Sequence, residues 1–235
     1  LAVFATAFVV LVLVPPLGPA ARRFDWAEAL QFIVLALVAP GLFVAAAPWD
    51  WVGLGHQSLV LAEARRRHPE RLRSLVLVCP ALACMVGWRL PAAVDRLHSG
   101  GWPLAVEAVS LVVAGTVLWL ECVTSPPLIP RATRPMRIAL CALSMWTIWV
   151  LAYLVAMSNG DWYRAYDSAT AGGLRPAIDQ QIAAGVMWAI AGACFIPLIF
   201  WNLLQWLRSE EDPDQELHRL VREERRRALP PHPTL

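Results

Sequence analysis

Apolar residues in this chain of 235 come in blocks of about twenty, separated by short connectors that carry arginine, and the block interiors are nearly free of charge. A water-soluble domain would spread its 18 acidic and 20 basic residues along the exposed faces of its helices. Lipid is therefore the solvent here, and the chain reads as an all-α, polytopic membrane helix bundle. Block length and flanking residues place six spans: Val3 to Leu17, Ala29 to Ala47, Leu72 to Trp88, Leu104 to Val123, Met136 to Met157 and Ile182 to Leu207. The first is short, carries Pro15-Pro16 near its end and follows a Leu1 that is not Met, which leaves open a seventh span ahead of the sequence shown. Residues 1–208 then form the bundle, and 209–235 a charged tail with a short amphipathic helix from about Asp214 to Ala228.

Every basic residue is Arg, so orientation follows from the distribution of arginine alone. One set of alternating loops, with the tail, carries Arg65, Arg66, Arg67, Arg71, Arg73, Arg131, Arg134, Arg137, Arg208, Arg219, Arg222, Arg225, Arg226 and Arg227. The other set carries Arg22, Arg23, Arg89, Arg96, Arg164 and Arg175. The richer side is expected to face the cytoplasm, together with the C-terminus. The Arg-rich loop "EARRRHPERLR" and the tail read as solvated cytoplasmic segments, with partner docking or contact with anionic lipid heads as the alternative.

With that orientation, polar residues that interrupt span ends gather at the outer rim. Glu28 and Gln31 open the second span, Arg89 closes the third, Glu107 sits one turn into the fourth, and Asp179, Gln180 and Gln181 open the sixth. Charged groups near hydrocarbon are costly and usually face the bundle interior, where they find each other. Glu28, Glu107 and Asp179 come from three helices and are expected to converge on Arg89, whose guanidinium can hold carboxylates bidentately. One reading is a structural pin with the glutamines filling the remaining hydrogen bonds. The other is a site for a cation, a metal or a partner loop arriving from outside.

Asp179 also stands at a helix N-terminus, where an acid can cap free N–H groups. Met187 lies seven residues past Gln180 on the same stripe; it is a gap filler by default and the one possible soft metal ligand. Gly185, Ala189 and Ala193 recur every four residues, a stripe that would let a neighbouring helix come close. The five cysteines, Cys79, Cys84, Cys122, Cys141 and Cys194, fall inside or at the ends of spans and read as small buried hydrophobes. Cys79 and Cys84 are five apart on one helix and point to different faces, so they do not make a chelating pair.

Absences narrow the function. None of the five histidines, His56, His68, His98, His218 and His232, lies inside a span, which argues against bis-His haem binding and against an oxidase copper centre. His98, in the outer connector, is a single imidazole and weak evidence for a metal. There is no phosphate-binding Gly-rich loop, no G-x-S-x-G and no H-E-x-x-H, so no enzyme is indicated. No internal repeat or mid-span charge supports a transporter.

The stretch "LRPAIDQQIAAGVMWAIAGACFIPLIFWNLLQWLRSEED" resembles the last helix of the CtaG-type cytochrome c oxidase assembly factors, in which D-Q-Q opens the span and G-x-x-M-W follows. Here the matching residues are Asp179, Gln180, Gln181, Met187 and Trp188, with Gly185 two positions before Met187 instead of three. Three further stretches are similar, in the same order along the chain: "EALQFIVLALVAPGL" to a helix ending in a V-A-P turn, "GWRLPAAVD" to a W-H-x-P segment, and "PLAVEAVSLVVAG" to an H-x-x-E-H helix. The resemblance implies a respiratory oxidase as partner, at the outer face of a bacterial plasma membrane. It also implies that the family's rim histidines, the residues one would nominate for copper, fall here on Glu28, Phe32, Arg89, Leu104 and Ala108. Arg and Phe cannot serve as copper ligands.

The resulting expectation is a non-catalytic assembly factor with no haem, no metal site and no nucleic-acid partner. Copper is left at most to weak Met and carboxylate ligands. A permanent structural subunit of a membrane energy-conversion complex is the alternative. Twelve Trp, many near span ends, fit interfacial anchoring and equally a helix-helix contact surface.

Overall fold

The computed structural model describes residues 1–67, 71–98, 100–158, 162–166 and 174–210. The tail helix expected at about Asp214 to Ala228 lies outside them, as do His68, His218 and His232. The described residues form an all-helical bundle without strands. The helices are α1 (Ala2–Leu13), α2 (Leu17–Ala21), α3 (Asp25–Ile33), α4 (Ala39–Ala46), α5 (Gly55–Arg67), α6 (Arg71–Trp88), α7 (Pro91–Leu97), α8 (Trp102–Cys122), α9 (Arg134–Met157) and α10 (Pro176–Glu210).

Among the described residues four helices are long and apolar enough to cross a membrane: Asp25–Ala46, Trp102–Cys122, Arg134–Met157 and Pro176–Arg208. Leu72–Trp88 with Pro91–Leu97 makes a fifth if this pair, bent by 64°, counts as one span. The first of the six expected spans is shorter than anticipated. Its helix stops at Leu13 after 12 residues, about 18 Å of rise against roughly 30 Å of hydrocarbon. The interruption comes where Pro15 and Pro16 withdraw backbone donors.

The span Asp25–Ala46 is the centre of the core, with Ala29, Phe32, Ile33, Leu35, Ala36 and Leu37 all buried. It is α3 and α4 joined by one π-helical turn, Val34–Val38. Pro40 explains the widened turn. Its ring has no N–H to offer the preceding carbonyls and crowds the one four residues back. Beside this turn the indole Nε1 of Trp119 on α8 donates to the Leu37 carbonyl at 2.9 Å and ties the two helices together. Gly115 permits that approach: a Cβ there would lie 2.1 Å from the Ala36 carbonyl oxygen and 2.7 Å from Pro40 Cγ.

Around this span, α10 packs along α9 and against α3, α6 packs along α8, and α1 lies on α4. The inward stripe of α10 is Ala183, Ala184, Met187, Ala191 and Phe195, all buried. Gly185, Ala189 and Ala193 face outward, and nothing stands within 4 Å of a Cβ built on Gly185. The expected small-residue contact stripe is therefore corrected: helix contact runs through the adjacent stripe. Cys122 and Cys141 are buried as expected, Cys84 and Cys194 are half-buried, and Cys79 is exposed on the outside of the bundle.

Candidate functional site

The break between α6 and α7 positions the most deeply buried cation of the described residues. Pro91 opens α7, and the residue before a proline is forced out of the helical region, so Leu90 is extended at φ −71° and ψ 143°. Arg89 is the last residue before that turn and is fully buried. Its freed carbonyl accepts the Tyr163 hydroxyl at 3.0 Å. Its guanidinium lies over the Tyr163 ring at 4.9 Å and over the Phe32 ring at 5.7 Å.

Two carboxylates of α3 meet this guanidinium. Arg89 Nη2 donates to Asp25 Oδ1 at 3.1 Å, and Arg89 Nη1 is ion-paired with Glu28 Oε2. Asp25 and Glu28 stand three residues apart, hence on one helix face. Asp25 is absent from the residues nominated on sequence; the i, i+3 spacing of two acids just ahead of an apolar run is the signal that points to it.

Asp179 does not join this pair, contrary to the expected convergence. From the first turn of α10 its carboxylate reaches across to the N-terminus of α3, where Oδ2 accepts the Asp25 N–H at 2.8 Å and Oδ1 the Trp26 N–H at 3.0 Å. It caps α3 and not its own helix. An ionised acid at a helix N-terminus is favoured by the dipole, and two orphan donors are satisfied together. Gln180, also buried, accepts the Ser158 hydroxyl at 2.8 Å and so ties α10 to the end of α9. Gln181 points elsewhere. It lines an outward-facing apolar groove of about 650 Å³ between α9 and α10, with Trp146, Trp149 and Trp188, and takes no part in the rim cluster. Met187 is buried in the core below Gln180.

Glu28, Gln31 and Glu107 line one cavity of about 210 Å³, closed by Leu13, Leu97, Leu104 and Ala108 among others. Glu107 is 4% exposed, its backbone carbonyl accepts the Ser110 hydroxyl at 3.0 Å, and its carboxylate has neither a hydrogen bond nor an ion pair among the described residues. His98 is not the free imidazole expected in the connector. It is half-buried, with Nε2 3.0 Å from the Arg22 carbonyl, Nδ1 3.3 Å from the Val94 carbonyl and its ring edge-on to Tyr166 at 4.5 Å. The segment 162–166 is laid over this end: the Tyr166 hydroxyl donates to the Ala21 carbonyl at 3.0 Å, and the Ala165 N–H to Asp95 Oδ1 at 3.2 Å. Burial pushes both the Tyr163 and Tyr166 phenols above their ordinary pKa, with Arg89 opposing, so both remain neutral donors.

A second polar cluster at the opposite end of the bundle escaped the sequence reading. Glu121 on α8 is fully buried; it accepts Arg65 Nη2 at 2.9 Å and the Ser74 hydroxyl at 2.8 Å, with Arg131 Nη1 at 3.7 Å. Arg65 also donates to the carbonyls of Leu120 and Ile129. Burial lowers the Arg65 pKa and the Glu121 charge works against it. Glu121 stands 14 residues after Glu107, almost four full turns, so both acids lie on one face about 21 Å apart.

Comparison with known proteins gives a family match whose range contains all four stretches that suggested a family. The family model described as cytochrome c oxidase caa3 assembly factor (Caa3_CtaG) matches residues 1–209. No curated protein and no solved structure was found to match. Among the described residues no group of three or more His, Cys, Asp or Glu is placed to hold a metal ion.

Proposed function

The chain belongs to the cytochrome c oxidase caa3 assembly factor family, and we propose that it assists assembly of a respiratory oxidase as a non-catalytic binding partner in a bacterial plasma membrane. The observation that carries this reading is the family match over nearly the whole bundle, 1–209. The internal commitments of the polar rim support the choice of binding over chemistry. Among the described residues Arg89 is paired with Asp25 and Glu28, and Asp179 with the N-terminus of α3, so these groups hold helices together.

Copper handling, if the family's work includes it, does not pass through a tight site on this chain. The positions where the resemblance puts rim histidines carry Glu28, Phe32, Arg89, Leu104 and Ala108. The one nearby imidazole faces a backbone carbonyl with each ring nitrogen, and Met187 is enclosed in the core. The purified protein is expected to contain no stoichiometric copper by elemental analysis.

The Arg89 end is assigned to the outer face and the C-terminus to the cytoplasm, on the strength of the arginine distribution between the two sets of loops. Purification at native expression tests the reading. Recovery of oxidase subunits only while the oxidase is maturing supports an assembly factor. A stoichiometric, detergent-resistant partner at all stages would instead make the chain a permanent subunit.

A further inference from the structure

Among the described residues the polar rim gathers four buried acids, Asp25, Glu28, Glu107 and Asp179, around one buried cation, Arg89. Asp25 and Glu28 share the single Arg89 guanidinium, and both oxygens of Asp179 are occupied by backbone N–H groups. Glu107 is left over: it is buried, its carboxylate has no hydrogen bond or ion pair among the described residues, and Arg89 reaches it through longer-range attraction. A carboxylate in that position is costly unless something completes it. It lines a cavity of about 210 Å³, several times the roughly 30 Å³ share of one water molecule.

The walls decide what fits. Leu13, Leu97, Leu104 and Ala108 are apolar; of the polar lining, Glu28 is already paired, the Tyr166 hydroxyl and His98 face backbone carbonyls, and Glu107 and Gln31 remain as acceptors beside Arg22. A hard metal ion wants six or more oxygens or its own water shell, which apolar walls do not provide. Copper wants imidazole or sulfur, and His98 has a carbonyl against each nitrogen. A cation on an aliphatic stem matches both features, since methylenes can lie along leucine while the charged head reaches a carboxylate.

We propose that this cavity receives one arginine or lysine side chain presented by a partner protein, with Glu107 as its counter-charge and Gln31 as a neighbouring acceptor. The inference rests on the reading of the chain as an assembly factor and names the chemistry by which its partner is held. Arg22, exposed at the cavity mouth, is the intramolecular competitor for the same carboxylate.

The probe is n-butylguanidinium, titrated into the detergent-purified full chain and followed by calorimetry, with magnesium chloride in parallel. Saturable binding of butylguanidinium is expected, weakened by about tenfold or more in Glu107→Gln and tightened in Arg22→Ala. Leu104→Trp, which keeps Glu107 but fills the cavity, is expected to block binding and guards against misfolding of the Gln variant. No binding by the wild type, equal binding by Glu107→Gln, or saturation by magnesium instead would overturn the inference. Oxidase levels in membranes separate its failure from that of the assembly reading. If the wild type supports assembly and Glu107→Gln does so equally, the cavity has no part in docking. If cells lacking the chain assemble oxidase normally, the assembly reading fails and the titration alone decides the cavity.

Discussion

Asp179 on α10 accepts the backbone N–H of Asp25 on α3 at 2.8 Å, so a helix near the end of the bundle caps one near its start. The same Asp25 carries the carboxylate that pairs with Arg89. Three segments far apart in sequence thus meet through one residue, once by its backbone and once by its side chain.

Asp179→Ala removes the acceptor of two N–H groups at the α3 N-terminus, in a place where water replaces it poorly. A destabilisation of about 2–4 kcal/mol is expected. Asp179→Asn retains one acceptor oxygen and should recover roughly half of it. Thermal unfolding in a fixed detergent checks the order wild type, Asn, Ala.

Arg89→Ala strands two buried carboxylates and is expected to cost about 3–5 kcal/mol. Arg89→Lys should be nearly as harmful, because an ammonium cannot span both acids or stack on Tyr163. Adding Asp25→Asn and Glu28→Gln to Arg89→Met should restore much of the loss, and the non-additivity measures the coupling.

Gly115→Ala forces a Cβ against the Ala36 carbonyl and Pro40, both on rigid backbone, and should destabilise by about 1–3 kcal/mol or more. Gly185→Ala has open space around it and should be neutral or slightly stabilising through helix propensity. Paired melting curves of the two variants give the comparison.

Glu121→Ala leaves Arg65 buried beside Arg131 without their shared carboxylate, and a loss of about 3–5 kcal/mol is expected. Glu121→Gln keeps the acceptor for Ser74 and should lose less. The same detergent melts resolve this ranking.

Lipid makes length and charge-free composition decisive, which is why the long spans were readable as blocks. The π turn at Val34–Val38 and the 64° bend after Trp88 were less visible, because a proline fixes what is lost locally but not how neighbours repair it. At the rim, Glu28 and Arg89 are ion-paired, as buried charges from neighbouring helices tend to be. Gln180 and Gln181 show the limit of that reasoning. Consecutive helix residues point about 100° apart, so only one of the two could turn into the bundle, and the sequence does not say which. The same one-residue offset put the contact stripe of α10 on Ala184, Met187 and Ala191 and not on Gly185, Ala189 and Ala193. Asp179 was recognised as a cap, but for the wrong helix, because the partner it caps lies 154 residues away.

Oxidase assembly in vivo is the central test of the proposed function. The most direct measurement is the amount of assembled cytochrome c oxidase, read from haem difference spectra of membranes from cells with and without this chain. A marked fall without it, restored by the wild-type chain, is the expected result. Unchanged oxidase in its absence would contradict the account.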